Sequence, residues 1–550
     1  MRVRSSLAIA ATAVLVLPLA GCGGDAKAGR DESSGAPKPG KGPAAGPGPG
    51  TSGAWIAGHV AEMSVREKVG QLFVPTFSGP SDARAMIKKY HVGGFIYFPG
   101  NMRTPRQTAA LSNALQQASK TPLLIGVDEE QGIVTRTPFI TRFPGNMALG
   151  ATRDPRDGRE AARVTGAELR AVGINQDYAP VADVNVNPRN PVIGVRSFGS
   201  DPALVSRMLR AAIAGYQEAG VAATAKHFPG HGDTATDSHT GLPVIKHTRA
   251  QWDKLDAPPF KAAVAQNVDA IMSAHIVVPG LDRSGDPSTL SKTVLTGLLR
   301  GALRFQGVAV TDSLQMAGAR KKYGDGATAV RAVNAGADQL LMPPSLSTAY
   351  TAVLKAAESG KIPRRRLDEA VSRILRMKEK RGLFAGTRAD PRRADAIVGA
   401  AAHRAAARRV AEHAVTLVRN QGGVLPAKGK KVFVTGPNAS ALASALRKNG
   451  VRVVPSLGVA DLAVLTTLDS GSATTGRVRS LASKPVVVAA LGRPYDLDRA
   501  TKARAALATY SSGPAALAAL GKVVAGGAKP TGKLPVATAS FPYGQGLSYR

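Results

Sequence analysis

Between Ala54 and about Arg393 the chain repeats one pattern eight times: a short apolar run, then polar or Gly/Pro residues, then a helical stretch. The runs are Phe73–Phe77, Gly94–Phe98, Leu123–Val127, Ile174–Tyr178, Val221–Ala225, Ala270–Ser273, Val308–Thr311 and Asp338–Met342. Runs of four or five residues rich in branched side chains read as buried strands. The stretches between them carry the other period. Leu367, Val371, Ile374 and Leu375 fall at the i, i+4, i+7, i+8 spacing of an amphipathic helix. Alternating strands and helices require a parallel sheet covered by helices, and eight repeats predict an α/β fold built on a (β/α)8 barrel over residues 54–393.

A barrel of this kind places its chemistry at the C-terminal ends of its strands. Asp128 closes the third run, Lys226 and His227 follow the fifth, His275 the sixth and Asp312 the seventh. Polar groups distant in sequence therefore meet at one rim. Beyond the barrel, residues 394–550 read as a basic helical linker, Ala394–Arg419, followed by a smaller α/β domain. Its parallel strands are expected at Lys431–Pro437, Val451–Val454, Asp461–Thr467 and Pro485–Leu491, with a helix at Ala515–Val524. No Gly-rich nucleotide loop follows any of these strands, so a nucleotide cofactor has no support.

The N-terminus addresses the chain outward. Arg2 and Arg4 precede an apolar run from Leu7 to Leu19, too short to span a bilayer. It ends in Leu19-Ala20-Gly21-Cys22, which looks like a bacterial lipobox, and Cys22 is the sole cysteine of 550 residues. Residues 1–22 thus read as a lipoprotein signal with Cys22 as the lipidation site, so an intrachain disulfide is excluded. Residues 23–53 are Gly, Pro, Ala, Ser and Lys with almost no large apolar residue, the composition of a disordered tether. A Gly-rich coil of that length spans roughly 30 Å. The expected location is extracytoplasmic, lipid-anchored to a bacterial cell membrane. The formal charge is +34, and residues 421–550 hold 17 Lys or Arg against 4 Asp and no Glu. That balance fits an anionic wall polymer or acidic headgroups, and equally a merely solvated basic surface. Nucleic acid is not expected as a partner, with aromatics at 5%.

The densest chemistry lies after the fifth run: Lys226-His227-Phe228-Pro229-Gly230-His231-Gly232, then Asp237-Ser238-His239. A zinc reading of His227, His231, His239 and Asp233 is disfavoured, because spacings of four and eight in a Gly/Pro-broken loop are not those of a metal helix. The stretch resembles the signature loop of the N-acetyl-β-glucosaminidase branch of glycoside hydrolase family 3. The resemblance runs from Met63-Ser64-Val65-Arg66-Glu67-Lys68-Val69-Gly70-Gln71-Leu72-Phe73 to the closing Phe541-Pro542-Tyr543-Gly544-Gln545-Gly546-Leu547-Ser548-Tyr549 of two-domain members.

The resemblance implies a retaining exo-β-N-acetylglucosaminidase that needs no cofactor and acts on peptidoglycan fragments or chitooligosaccharides. Asp312 would be the nucleophile, His239 the acid/base and Asp237 the group orienting it. Asp128, Arg136, Arg196, Lys226 and His227 would hold the sugar. Each has an ordinary alternative: Asp312 as a helix cap, the Asp237–His239 pair as a loop hydrogen bond, the rest as rim ion pairs. His275 divides evenly between contacting the sugar and supporting the rim. One compositional fact stands beside the resemblance. Other two-domain members draw an acid/base Glu from the C-terminal domain, whereas the last Glu here is Glu412, at the approach to it. One departure is Asp128-Glu129-Glu130-Gln131-Gly132, where Gln131 replaces a usual Gly and is expected to tighten the turn or alter a subsite. Competing readings are a phosphorylase, a β-glucosidase or β-xylosidase and, from another class, a non-catalytic wall-binding lipoprotein.

Overall fold

The computed structural model describes residues 53–238, 241–386 and 388–549. Cys22 with its leader, the tether up to residue 52 and His239 lie outside the described residues.

Every one of the eight apolar runs contributes a strand. These are β1 (Phe73–Val74), β2 (Gly94–Ile96), β3 (Leu124–Val127), β4 (Gln176–Asp177), β5 (Ala222–Phe228), β6 (Ala270–Ser273), β7 (Val308–Thr311) and β8 (Leu340–Leu341). β2 to β7 form one parallel sheet in sequence order, and β1 pairs with β8. Backbone bonds join these pieces into a ring. Ile96 N donates to Pro75 O (3.2 Å) on one side, and Thr311 N donates to Gln339 O (3.0 Å) on the other. The curled sheet is thus an eight-stranded barrel of the expected class. The outer helices present one apolar stripe inward, as Arg364–Lys380 does with Leu367, Val371, Ile374 and Leu375 buried. None of the helices among the described residues is long and apolar enough to cross a membrane.

The second domain differs from expectation in two places. Its sheet has six strands, because β9 (Thr416–Asn420) and β14 (Ala505–Ala508) join β10 (Lys431–Thr435), β11 (Arg452–Val453), β12 (Leu462–Thr467) and β13 (Val486–Ala490). The order is β11-β10-β12-β13-β14-β9, with β9 antiparallel to β14. The expected linker helix Ala394–Arg419 is instead two helices, Pro391–Ile397 and Ala401–Ala414. Gly399 breaks them at φ 67°. The chain then turns extended at Val415, because Leu417 and Val418 complete the two faces of the sheet. The helix Pro514–Ala525 covers one face as expected. On the other, Met147, Ala148 and Ala151 of the barrel pack with Ala463, Leu465 and Val488 in a shared apolar cluster. Burying that cluster fixes the two domains to each other.

Candidate active site

A cavity of about 330 Å3 opens at the C-terminal ends of the barrel strands. Asp128, Arg136, Arg196, Lys226, His227 and Asp312 all line it, and they arrive from the ends of four different strands, β3, β4, β5 and β7. Phe98, Met272 and Met342 supply apolar wall, a mixture suited to a sugar's polar edge and carbon face.

A buried ionic network organises the polar wall. Lys226 is ion-paired with Asp128, and its Nζ lies 2.6 Å from Glu130 Oε1. Arg196 grips the same Glu130 through two parallel bonds, Nε to Oε2 (2.8 Å) and Nη2 to Oε1 (2.6 Å). Glu130 and Lys226 are almost wholly buried, whereas Asp128 is 25% and Arg136 39% exposed. The network is therefore closed on its protein side and open at the cavity. Burial pushes the Lys226 ammonium down, but Asp128 and Glu130 outweigh it and hold its pKa above the ordinary value. Burial likewise pushes Glu130 up, and Arg196 and Lys226 reverse the sign.

Asp312 follows β7 directly, and its Oδ1 accepts from the Ser313 N–H (2.7 Å). Burial raises its pKa, but the His227 and His275 rings, the Ser313 N–H and Lys226 together lower it below the usual carboxylate value. An ionised carboxylate at a rigid strand end is the state a nucleophile needs. His275 is fully buried and occupied on both ring nitrogens: Nε2 donates to Ser313 O (2.9 Å), and Nδ1 lies 2.9 Å from Thr289 Oγ1. Of its two readings, the structure places it as support behind Asp312.

The loop after β5 is held by groups that sequence reading did not single out. The pairing of β5 with β6 shifts between Lys226 and Phe228, which frees His227 from the ladder. Its N–H and Nδ1 turn to the two oxygens of Asp183, at 3.2 and 2.6 Å, and the His231 N–H joins them at 2.7 Å. Asp183 is fully buried. Asn190 Nδ2 donates to the carbonyls of His231 and Gly232, and Trp252 Nε1 to that of Pro229. The approach is close enough to require glycine: a Cβ on Gly232 would lie 1.8 Å from Val184 O. His247 bridges Asp256 (2.7 Å) and Asp233 (2.9 Å), tying the loop to the helix Arg249–Leu255. Further along, His231 Nε2 meets Ser238 Oγ (3.0 Å), and both residues line the cavity. Asp237 adjoins Ser238 on that loop.

Three wall residues keep a buried polar atom with no hydrogen-bond partner among the described residues: Arg136 Nε, Tyr178 OH and His231 Nδ1. An unmet polar atom in such a place costs about 1–3 kcal/mol. Burial lowers the His231 pKa to about 4, so the ring is neutral near pH 7. Gln131 does not reach the cavity. At φ 67° it turns its amide into the loop scaffold, donating to Thr141 O and Thr165 Oγ1 and accepting from Phe143 N.

Comparison with known proteins gives consistent relatives. Residues 64–377 match the glycosyl hydrolase family 3 N-terminal domain. A β-hexosaminidase A of Pseudoalteromonas piscicida is 38% identical over 378 residues, covering 63% of this chain and 62% of the relative. The chain thus spans somewhat under two thirds of that relative's length. A β-N-acetylglucosaminidase/β-glucosidase of Cellulomonas fimi is 35% identical, covering 68% of each chain. Among solved structures, a family 3 β-N-acetylglucosaminidase from a Paenibacillus species superposes with a TM-score of 0.81 at 39% identity, covering 86% of this chain and 99% of that one.

Proposed function

The chain belongs to glycoside hydrolase family 3, and on that footing we propose that it is a retaining exo-β-N-acetylglucosaminidase. It removes terminal N-acetyl-β-glucosamine from peptidoglycan fragments or chitooligosaccharides. The observation that carries the reading is the convergence of an ionised Asp312 with a half-open Asp128–Lys226–Arg196 network around one sugar-sized cavity. The β-hexosaminidase and β-N-acetylglucosaminidase relatives support the choice of sugar.

In this mechanism Asp128 accepts hydrogen bonds from two sugar hydroxyls. Lys226, His227, Arg136 and Arg196 donate to the rest, and charge-assisted bonds of this kind orient the anomeric carbon. Asp312 attacks the anomeric carbon to form a glycosyl ester. His239 protonates the departing oxygen, with Asp237 orienting the imidazole and favouring its charged form. Water then cleaves the ester while His239 takes its proton. The assignment of His239 and Asp237 rests on the motif, and on the absence of any Glu beyond Glu412. The apolar run Leu7–Leu19 and Cys22 support a location outside the cytoplasm, anchored to the cell membrane.

The test is release of nitrophenol from para-nitrophenyl N-acetyl-β-glucosaminide and from the matching glucoside, with and without phosphate. Release from the first alone, giving free N-acetylglucosamine, is expected. A sugar 1-phosphate product would replace hydrolysis by phosphorolysis. Release from the glucoside alone would overturn the sugar assignment, and silence on both would favour a binding lipoprotein.

A further inference from the structure

The charge of the second domain is sorted by the topology of its sheet. β10 to β14 run parallel, so their N-terminal ends share one edge, and the covering helices return to that same edge. Lys431 and Arg452 are register neighbours at the starts of β10 and β11. Arg447 and Lys448 end the helix Ala439–Lys448, Lys484 precedes β13, and Arg504 precedes β14. All six are exposed or half-exposed, and none has a side-chain ion pair or hydrogen bond among the described residues. The acids gather at the other end. Asp469 follows β12, Asp496 and Asp498 follow β13, and Asp461 is the one acid on the basic edge.

The acidic edge is the one turned to the barrel. Tyr495 OH accepts from Asn185 Nδ2 there (3.3 Å), and Ser511 to Gly513 share a cavity wall with Glu130 and Arg196. The basic edge therefore lies beyond the far end of strands that reach about 20 Å. A ligand held on it leaves the active-site mouth clear.

We infer that this edge is a docking surface for a linear phosphodiester polymer without bases. Six unpaired cations along one sheet edge, interrupted by Asp461 at the start of β12, set a field that a chain of repeated charges can answer along its length. Peripheral membrane docking adds apolar wedges to basic charge. Among the described residues, Val459 is the single exposed large apolar side chain next to this edge, and the edge carries no exposed aromatic. Binding of single-stranded nucleic acid needs aromatic stacking platforms, which are missing from the edge on the same count. The surface goes beyond the glycosidase reading and does not depend on it.

The experiment uses the full chain carrying Cys22→Ala, with poly(glycerol phosphate) as probe. Binding at 50 mM NaCl is expected to weaken about 300-fold at 200 mM, the dependence for about six neutralised phosphates on a single-stranded polyanion. Replacing Lys431, Arg447, Lys448 and Arg452 by Gln should weaken binding at least tenfold and lower the salt slope by about three, with hydrolysis and melting temperature unchanged. A second variant, with Arg84, Lys88, Lys89 and Arg106 of the barrel changed to Gln, removes equal charge elsewhere and should bind like the parent. Equal weakening in both variants would reduce the effect to net charge and overturn the surface. So would tighter binding to phosphatidylglycerol vesicles through the same four residues, equal competition by single-stranded DNA, or no binding at all.

Discussion

Two buried ionic clusters sit at opposite ends of the same barrel. Below the strands, Asp338 is fully buried and met by Arg300 (2.5 Å), Arg366 (2.7 Å) and Arg373 (3.1 Å), with the Ala309 N–H at 3.0 Å. Above them, Glu130 is met by Arg196 and Lys226 at similar distances. In both, burial raises the carboxyl and its cations bring it below the ordinary value. What separates the clusters is where the network stops. Every cation around Asp338 is at most 17% exposed, whereas Lys226 leads through Asp128 to a cavity. A cluster closed to solvent on every side is architecture. The same chemistry with one open side is a binding site, and only the strand end distinguishes them.

The comparison can be broken in several ways, beginning where the effect is largest. Asp312→Ala should lower turnover by at least about 10,000-fold, roughly 5 kcal/mol of barrier, while leaving the melting curve in place. Substantial residual hydrolysis would remove Asp312 as nucleophile. At the lower cluster the consequences reverse. Asp338→Ala strands three arginines and should cost about 3–5 kcal/mol of unfolding free energy in a denaturant titration, with little change in turnover per folded molecule. If activity fell and stability did not, the division between the two ends would fail.

Asp183→Asn tests the support of the upper cluster. Losing one of the charged bonds that seat His227 and His231 should lower kcat/KM about 100-fold, the scale of a small misplacement of binding groups. Thermal stability should change less than in the Asp338 variant.

His247 provides a pH test. The Asp256 hydrogen bond, opposed by burial and aided by Asp233, raises its pKa above 6.5. A raised histidine contributes its stability in full below its unfolded value and loses it as pH rises through the folded one. The stability gap between the parent and His247→Gln should therefore be greatest below pH 6.5 and shrink at higher pH. A gap independent of pH would show that His247 works by packing alone. The smallest effect is expected from Gln131→Gly. Relief of the left-handed backbone, about 1 kcal/mol, is outweighed by the loss of three hydrogen bonds, leaving a net cost of about 1–2 kcal/mol and an unchanged KM.

That last case marks the limit of reading a motif by its letters. At Gln131 the altered residue suggests a tighter turn or a changed subsite, yet its side chain braces Thr141, Phe143 and Thr165 and points away from the sugar cavity. β14 escaped notice for a different reason. Ala505-Ala506-Leu507-Ala508 is made of helix formers, and only pairing with β13 and β9 makes it a strand. β9 follows a helix with no Gly or Pro between them, so Thr416-Leu417-Val418 reads as its continuation. Asp183 sits in a mainly apolar stretch with no motif around it. A lone acid in such a stretch, Val181-Ala182-Asp183-Val184, was the one available signal, since a buried carboxylate must find donors.

The sequence by itself determined the eight barrel strands, the inner faces of their helices, and the rim to which Asp128, Lys226, His227 and Asp312 would sort. These follow from local period and from position relative to a strand end, which are properties of neighbouring residues. Tertiary structure alone decided that Glu130 would sit between Arg196 and Lys226, that Asp183 would hold the loop after β5, and that the second domain would set six unpaired cations along one edge. Those pairings join residues tens of positions apart. A buried charge takes its partner from whatever the closed barrel brings within hydrogen-bond reach, and no local pattern encodes that distance.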